Sequence, residues 1–272
     1  MYKYIYMESK IINNDIIRRK IESYIRGKSV CIVGPAPYLE KHTRGSIIDK
    51  YDIIVRLNKG INMEKQPEIF GSRTDILYHS INQPNENGGK LNPIMLDKTR
   101  IVFAFPYLDK QTKSSFQNGT YIDYNTIHND ILKNSCCVDK NEYIELEKYI
   151  GCRPTTGLSC IIDILKMKPS YVYITGFTLF KDGHAHIYRK DANMESNQQL
   201  INKFITGKST HNLYLMYCYM KNNLFKNNIE LDKELIDILK FDINEYKQTK
   251  LLEDKDDEYI FYNYINNNEI IN

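Results

Sequence analysis

Cys31-Ile32-Val33-Gly34-Pro35-Ala36-Pro37-Tyr38-Leu39 is the stretch on which the fold turns. The apolar run Val30–Val33 is the length of a buried strand, and Gly34 with two prolines breaks it at once. The loop from Gly34 to Ala36 therefore lies at the carboxyl end of a strand, where open α/β sheets bind ligands. Downstream, Asp52-Ile53-Ile54-Val55 reads as a second buried strand ending in Arg56 and Asn58, which would face the same crevice. Gly71-Ser72-Arg73-Thr74-Asp75 follows as a polar loop leading into a third strand. A strand with a tight turn after it, a second strand ending in polar groups and a polar loop leading into a third are how an α/β protein builds a nucleotide site.

Strand candidates are residues 29–33, 52–56, 75–79, Ile101–Phe105 and Tyr171–Ile174. Residues 9–26 carry Ile11, Ile12, Ile16, Ile17, Ile21, Tyr24 and Ile25 at helical spacing. Further helices are expected over 155–167, 193–205 and 210–226, and a weak strand over 120–123. The segment 82–92, with Pro84, Gly88 and Gly89, is a loop. No repeat and no Gly/Ser linker divides the chain. The economical expectation is one domain over 1–272, with a charged, helix-prone C-terminal extension from about 231 to 272.

The chain has 272 residues and a formal net charge of +3, with its lysines scattered. That balance argues against a nucleic-acid partner, which demands a basic stripe. Cys31, Cys136, Cys137, Cys152, Cys160 and Cys218 form no Cys-x-x-Cys pair and no zinc-finger spacing. Residues 1–27 are interrupted by Lys3, Glu8, Lys10, Asp15, Arg18, Arg19, Lys20, Glu22 and Arg26. They contain no apolar run near the roughly 20 residues of a spanning helix and no signal-peptide core. A cytoplasmic location without a membrane anchor is the expectation.

Three further constellations carry chemistry. Arg153-Pro154-Thr155-Thr156-Gly157 opens an apolar helix. Hydroxyls and free N–H groups there suit an anion, although a plain Thr cap explains the same residues. Gly157 would let a ligand reach the backbone. Gly176-Phe177 ends the last strand and is followed by Gly183-His184-Ala185-His186-Ile187-Tyr188. The His-x-His could be a metal pair, but no third ligand stands at a suitable spacing. Ser209-Thr210-His211 opens an amphipathic helix, and a neutral His there could act as a general base.

Taken together, the first stretch resembles the long sialylmotif of glycosyltransferase family 29, the animal-type sialyltransferases: Val-Gly-Asn-Ser, Ile-Asp, Asp-x-Val-x-Arg-x-Asn, then Gly-Ser-Arg-Thr. Pro35 stands where that family has Asn. The segment from Pro154 to Phe177 resembles the short sialylmotif, in the expected order. Lys166-Met167 occupies the place of the cysteine that bridges the two motifs in the family, which fits a reducing compartment. His211 matches the very short motif His-x-x-x-x-Glu, with Met216 in place of Glu.

The resemblance implies a Rossmann-like, mainly parallel sheet flanked by helices, the GT-A-like variant of sialyltransferases. It implies transfer of sialic acid, or a related acidic sugar, from a CMP-sugar donor to a glycan hydroxyl, inverting and without a metal cofactor. Gly34, Pro35, Ala36, Asn58, Thr155, Thr156, Gly157, Gly176, Phe177 and Tyr188 would hold the nucleotide. His186, with His184 in reserve, would stabilise the phosphate, and His211 would deprotonate the acceptor. Pro35 and Met216 sustain two rivals: a non-catalytic nucleotide- or glycan-binding protein of the same fold, and a transferase for another nucleotide sugar. Two segments imitate other sites. Gly207-Lys208-Ser209-Thr210 lacks the earlier glycine and strand of a P-loop. Asp254-Lys255-Asp256 lies in a solvated acidic run.

Overall fold

The structure is a computed structural model, and it describes residues 15–80, 99–105, 135–188 and 211–266, with the single positions 91, 96, 199 and 202. The expected helix 193–205, the weak strand 120–123, the loop 82–92, Ser209 and Thr210, and the Gly207–Thr210 imitation lie essentially outside them.

Among the described residues seven strands form one sheet: β1 Ser29–Val33, β2 Ile53–Leu57, β3 Ile76–His79, β4 Arg100–Phe103, β5 Ser135–Cys137, β6 Tyr171–Thr175 and β7 Ile229–Leu231. Their order is β5-β4-β3-β2-β1-β6-β7, and every pairing is parallel. The fold is thus α/β with an entirely parallel sheet. β5 and β7 have three residues each and escaped the sequence reading. Such short edge strands show no periodicity.

The inner strands are mostly apolar because both faces are covered, with the polar Arg56, His79 and Thr175 falling at or near their carboxyl ends. Val30 and Ile32 point into the main core with Ile53, Val55 and Ile76, whereas Cys31 and Val33 pack on the opposite face with Ile54 and Tyr173. Long helices cover the first face. Among them are α1 (residues 15–25), α2 Lys140–Ile150, α3 Thr156–Lys166 and α4 Leu213–Asn223. The second face is covered by short helical turns at Pro37–Lys41, Gly45–Ile48, Asn58–Lys65 and Pro67–Phe70.

The C-terminal segment supplies α5 Lys233–Leu239, α6 Ile243–Lys250 and α7 Asp257–Ile265. Leu235, Leu239, Phe261 and Ile265 join the main core. A buried polar knot ties α1 to this core. Arg18 pairs with Asp163 of α3 at 2.7 Å and donates to the Cys137 carbonyl at 3.1 Å. Tyr78 of β3 donates to the same carboxylate at 2.7 Å.

The chain runs outward from β1 through β5, then returns to place β6 on the other side of β1. This is a topological switch point, and its crevice lies at the carboxyl ends of β1 and β6. Val33 is level with Arg56 on one side and Thr175 on the other, so these strands end together.

Candidate active site

The loops after β1 and β6 meet backbone to backbone. Gly34 N–H donates to the Thr175 carbonyl at 2.8 Å, and Ala36 N–H to that of Gly176 at 3.0 Å. A Cβ on Gly34 would overlap the Gly176 carbonyl oxygen, and a Cβ on Gly176 that of Gly34. Gly176 also has φ +79°, a left-handed conformation suited to glycine. The Phe177 ring fills the space that Gly34 and Gly157 leave open, with a Cβ on either falling 2.8 Å from it. These glycines therefore admit a neighbouring loop and a ring. At Gly157 the side that a Cβ would take is filled by Phe177.

Ala185 N–H donates to the Pro35 carbonyl at 2.7 Å, so the His-x-His segment lies on the β1 loop. His184 stacks on Tyr188 at 5.4 Å with the planes 5° apart, and its edge meets Phe180 at 5.4 Å. Tyr188 is buried with Ala36 and Tyr38. His186, the favoured phosphate ligand, is exposed. The fold thus joins Pro35, Ala36, Tyr188 and the reserve His184, and leaves His186 outside that stack.

Asn58 has φ 47°, and its side-chain oxygen accepts from Ser80 N–H at 2.8 Å, clasping the loop after β3 to the end of β2. Arg56 differs from expectation. It is fully buried, and its guanidinium donates to the carbonyls of Phe70 at 2.6 Å and of Gly71 and Arg73 at 3.3 Å, and to Thr74 Oγ1 at 3.1 Å. Burial lowers it to a pKa of about 10. Position 56 points inward beneath the crevice, so the side chain holds the loop it was expected to face past.

On the other flank, Thr155 caps α3 by accepting from Leu158 N–H at 3.2 Å. Thr156 and Gly157 follow as half-buried first-turn residues whose N–H groups have no acceptor within the helix. His211 comes to this same corner: its Nδ1 lies 2.6 Å from the Arg153 carbonyl. A carbonyl can only accept, so Nδ1 carries the proton and Nε2 keeps its lone pair. Burial pushes the imidazole down to about 4, so it is neutral near pH 7. The helix starts later than expected: Asn212 caps α4, which places His211 before the cap rather than in the first turn. Asn212 also bonds Glu258 at 3.0 Å and Cys152 Sγ at 3.1 Å. Arg153 stacks over Phe105, beyond β4, at 3.8 Å. Met216 is buried in the core, an apolar position.

The sequence reading missed Asp232, the residue after β7. Its Oδ1 caps α5 through Leu235 N–H at 3.0 Å, while Oδ2 accepts from Gly176 N–H at 3.0 Å and from the Tyr38 hydroxyl. Gly176 N–H also reaches Tyr38 Oη at 2.6 Å. Burial raises this carboxyl to about 7. A helix-capping Asp was its only sequence signal, and β7 was too short to frame it.

Asp254 is exposed and Asp256 merely caps α7 at 2.7 Å. All six cysteines are free thiols. Among the described residues no group of three His, Cys, Asp or Glu is arranged for a metal, and no helix is long and apolar enough to cross a membrane.

No protein-family model matches the chain. No curated protein matches it either. Among solved structures it is similar to a mammalian sialyltransferase, at 17% identity over 76% of this chain and 69% of that one, with a TM-score of 0.49. It is also similar to the sialyltransferase CstII from Campylobacter jejuni in complex with the substrate analogue CMP-3FNeuAc, at 14% identity over 76% and 88%, with a TM-score of 0.44.

Proposed function

We propose that this protein is a sialyltransferase-like glycosyltransferase that moves sialic acid, or a related acidic sugar, from a CMP-linked donor to a glycan hydroxyl. The observation that carries this reading is the corner formed by Thr155, Thr156 and His211. A helix start suited to an anion stands beside an imidazole whose tautomer is set for proton abstraction. The phosphate of the donor would meet the first turn of α3 and His184 on its Tyr188 platform, with exposed His186 as the alternative. Asn58 would frame the nucleotide from the end of β2. The acceptor hydroxyl would give its proton to His211 Nε2 as its oxygen attacks the anomeric carbon from the face opposite the leaving CMP, inverting that centre.

His184 suits the phosphate role because its ring is held in place by Tyr188 and Phe180. A donor fixed where charge develops on the leaving phosphate is worth about 2.7–4 kcal/mol. No step of this scheme calls for a metal.

The test is a panel of CMP- and UDP-linked sugars measured by thermal stabilisation and by release of free nucleotide, with and without EDTA. Stabilisation by CMP ligands with slow donor hydrolysis supports the reading. Binding without any hydrolysis or transfer would instead favour a binding protein of the same fold. Metal-dependent preference for UDP ligands would sink the donor assignment.

A further inference from the structure

We infer that Asp232, together with Tyr38, is a positioning pair that fixes the crevice floor at the β1–β6 switch point, and that Asp232 takes up a proton when an anionic nucleotide binds there. The inference rests on the nucleotide reading above.

The geometry is that of a bridge. One carboxylate oxygen is committed to the start of α5 and the other to Gly176 N–H and Tyr38. On its far side, the Gly176 peptide carbonyl accepts from Ala36 N–H at 3.0 Å. The peptides around Gly176 are thereby clamped from both sides, and Phe177 with them. Asp232 sets where the β6 loop stands relative to the β1 loop, so it sets the width of the crevice between them.

Its charge bears on what the crevice accepts. A carboxylate against Gly176 N–H puts negative charge on the floor of the crevice that would take the nucleotide, and within a protein its repulsion of a phosphate is only partly screened. The groups facing it offer little compensation. Arg44, before the turn Gly45–Ile48, stands 4.0 Å from Oδ2, at the limit of an ion pair, and also reaches Glu234 of α5 at 3.9 Å. Tyr38 from the β1 loop brings only its hydroxyl, burial keeps the Cys31 thiol of β1 protonated, and Glu234 adds like charge. The carboxyl is already poised near neutrality by burial. An arriving anion favours its acid form, which draws a proton from solvent onto one carboxylate oxygen and keeps a hydrogen bond to Tyr38. By linkage, a ligand that raises an acid's affinity for protons binds more tightly as pH falls.

The test is titration calorimetry of CMP into the full chain at pH 7, in two buffers of different ionisation enthalpy, for wild type, Asp232→Asn and Tyr38→Phe, with cytidine as an uncharged probe. Comparing variants with the same ligand cancels the titration of the CMP phosphate. The wild type should take up roughly half a proton more than Asp232→Asn on binding CMP, and no such difference should appear with cytidine. Its CMP affinity should fall several-fold more steeply than that of Asp232→Asn between pH 6 and 8.5. Tyr38→Phe keeps the ring, removes a donor to the carboxylate and leaves more of it protonated beforehand, so its uptake should be smaller; it carries the test if Asp232→Asn does not fold. Equal proton uptake in wild type and variant, with CMP binding intact, overturns this inference alone. Failure of the wild type to bind CMP overturns the nucleotide reading and this inference with it.

Discussion

Two buried carboxylates stand on opposite terms with their surroundings. Asp163 lies inside the main core with a full set of partners: the Arg18 guanidinium binds both its oxygens and Tyr78 donates to one. Asp232 lies at the carboxyl edge of the sheet, where its partners are neutral N–H and O–H groups and Arg44 is no nearer than 4.0 Å. The first is a closed ion pair that locks α1 and α3 onto the sheet. The second has no close counterion, and burial raises it to about 7. A buried charge with a good counterion is spent on architecture, and one without remains able to change protonation state.

The largest effect should come from breaking the closed pair. Asp163→Ala strips the half-buried Arg18 of its two-bonded partner, leaving Glu22 at 3.2 Å as its counterion, and takes away the acceptor of Tyr78. The loss should fall at the lower end of the roughly 3–5 kcal/mol of a broken buried pair. Chemical denaturation should show it, and the double variant Arg18→Leu/Asp163→Leu should recover most of the loss. If Asp163→Ala unfolded no more easily than wild type, the pair would not be the lock described.

At the edge, His211→Ala should lower turnover by roughly 10²–10⁴-fold with little change in donor affinity, since the base acts on the acceptor proton. His184→Ala should differ in kind and weaken both. Steady-state kinetics with donor titration separates the two patterns, and full activity in His211→Ala would move the base elsewhere.

Gly34→Ala forces a methyl group against the Gly176 carbonyl and the Phe177 ring. Overpacking of this sort typically costs 1–3 kcal/mol. A melting temperature equal to wild type would mean that the two loops are not in contact.

The pH dependence of stability has opposite signs in the two edge groups. His211 is lowered to about 4 from 6.5, so the unfolded chain binds the extra proton and stability falls as pH drops from about 6.5 towards 4. Asp232 is raised to about 7 from 3.8, so the folded chain holds the extra proton and stability falls as pH rises from about 4 to 7. Melting curves across pH 4–8 should show Asp232→Asn removing the decline towards pH 7 and His211→Gln the decline below pH 6.5. The smallest effect belongs to Asp254→Ala. A surface change of this kind lies within about 0.5 kcal/mol, and turnover should be untouched.

Composition and local pattern were sufficient for the inner sheet. Five strands announced themselves as apolar runs ended by Gly, Pro or polar residues, because a strand buried on both faces must be continuously apolar. The caps at Thr155 and the break at Gly34 were equally local, and therefore legible. What each glycine makes room for was not local: the partner of Gly34 is Gly176, and the ring against Gly157 is Phe177. The same holds for Arg56, whose acceptors come from a loop 14 to 18 residues away, and for His211, whose tautomer is set by a carbonyl 58 residues before it. Asp232 is the extreme case, since its Tyr38 partner lies 194 residues away and nothing in its own neighbourhood marks more than a helix cap. Local sequence determines where the backbone must turn or stay extended, because those preferences act within a few residues. Tertiary structure alone decides which polar groups meet, because burial and hydrogen bonding are settled between segments that the chain order keeps apart.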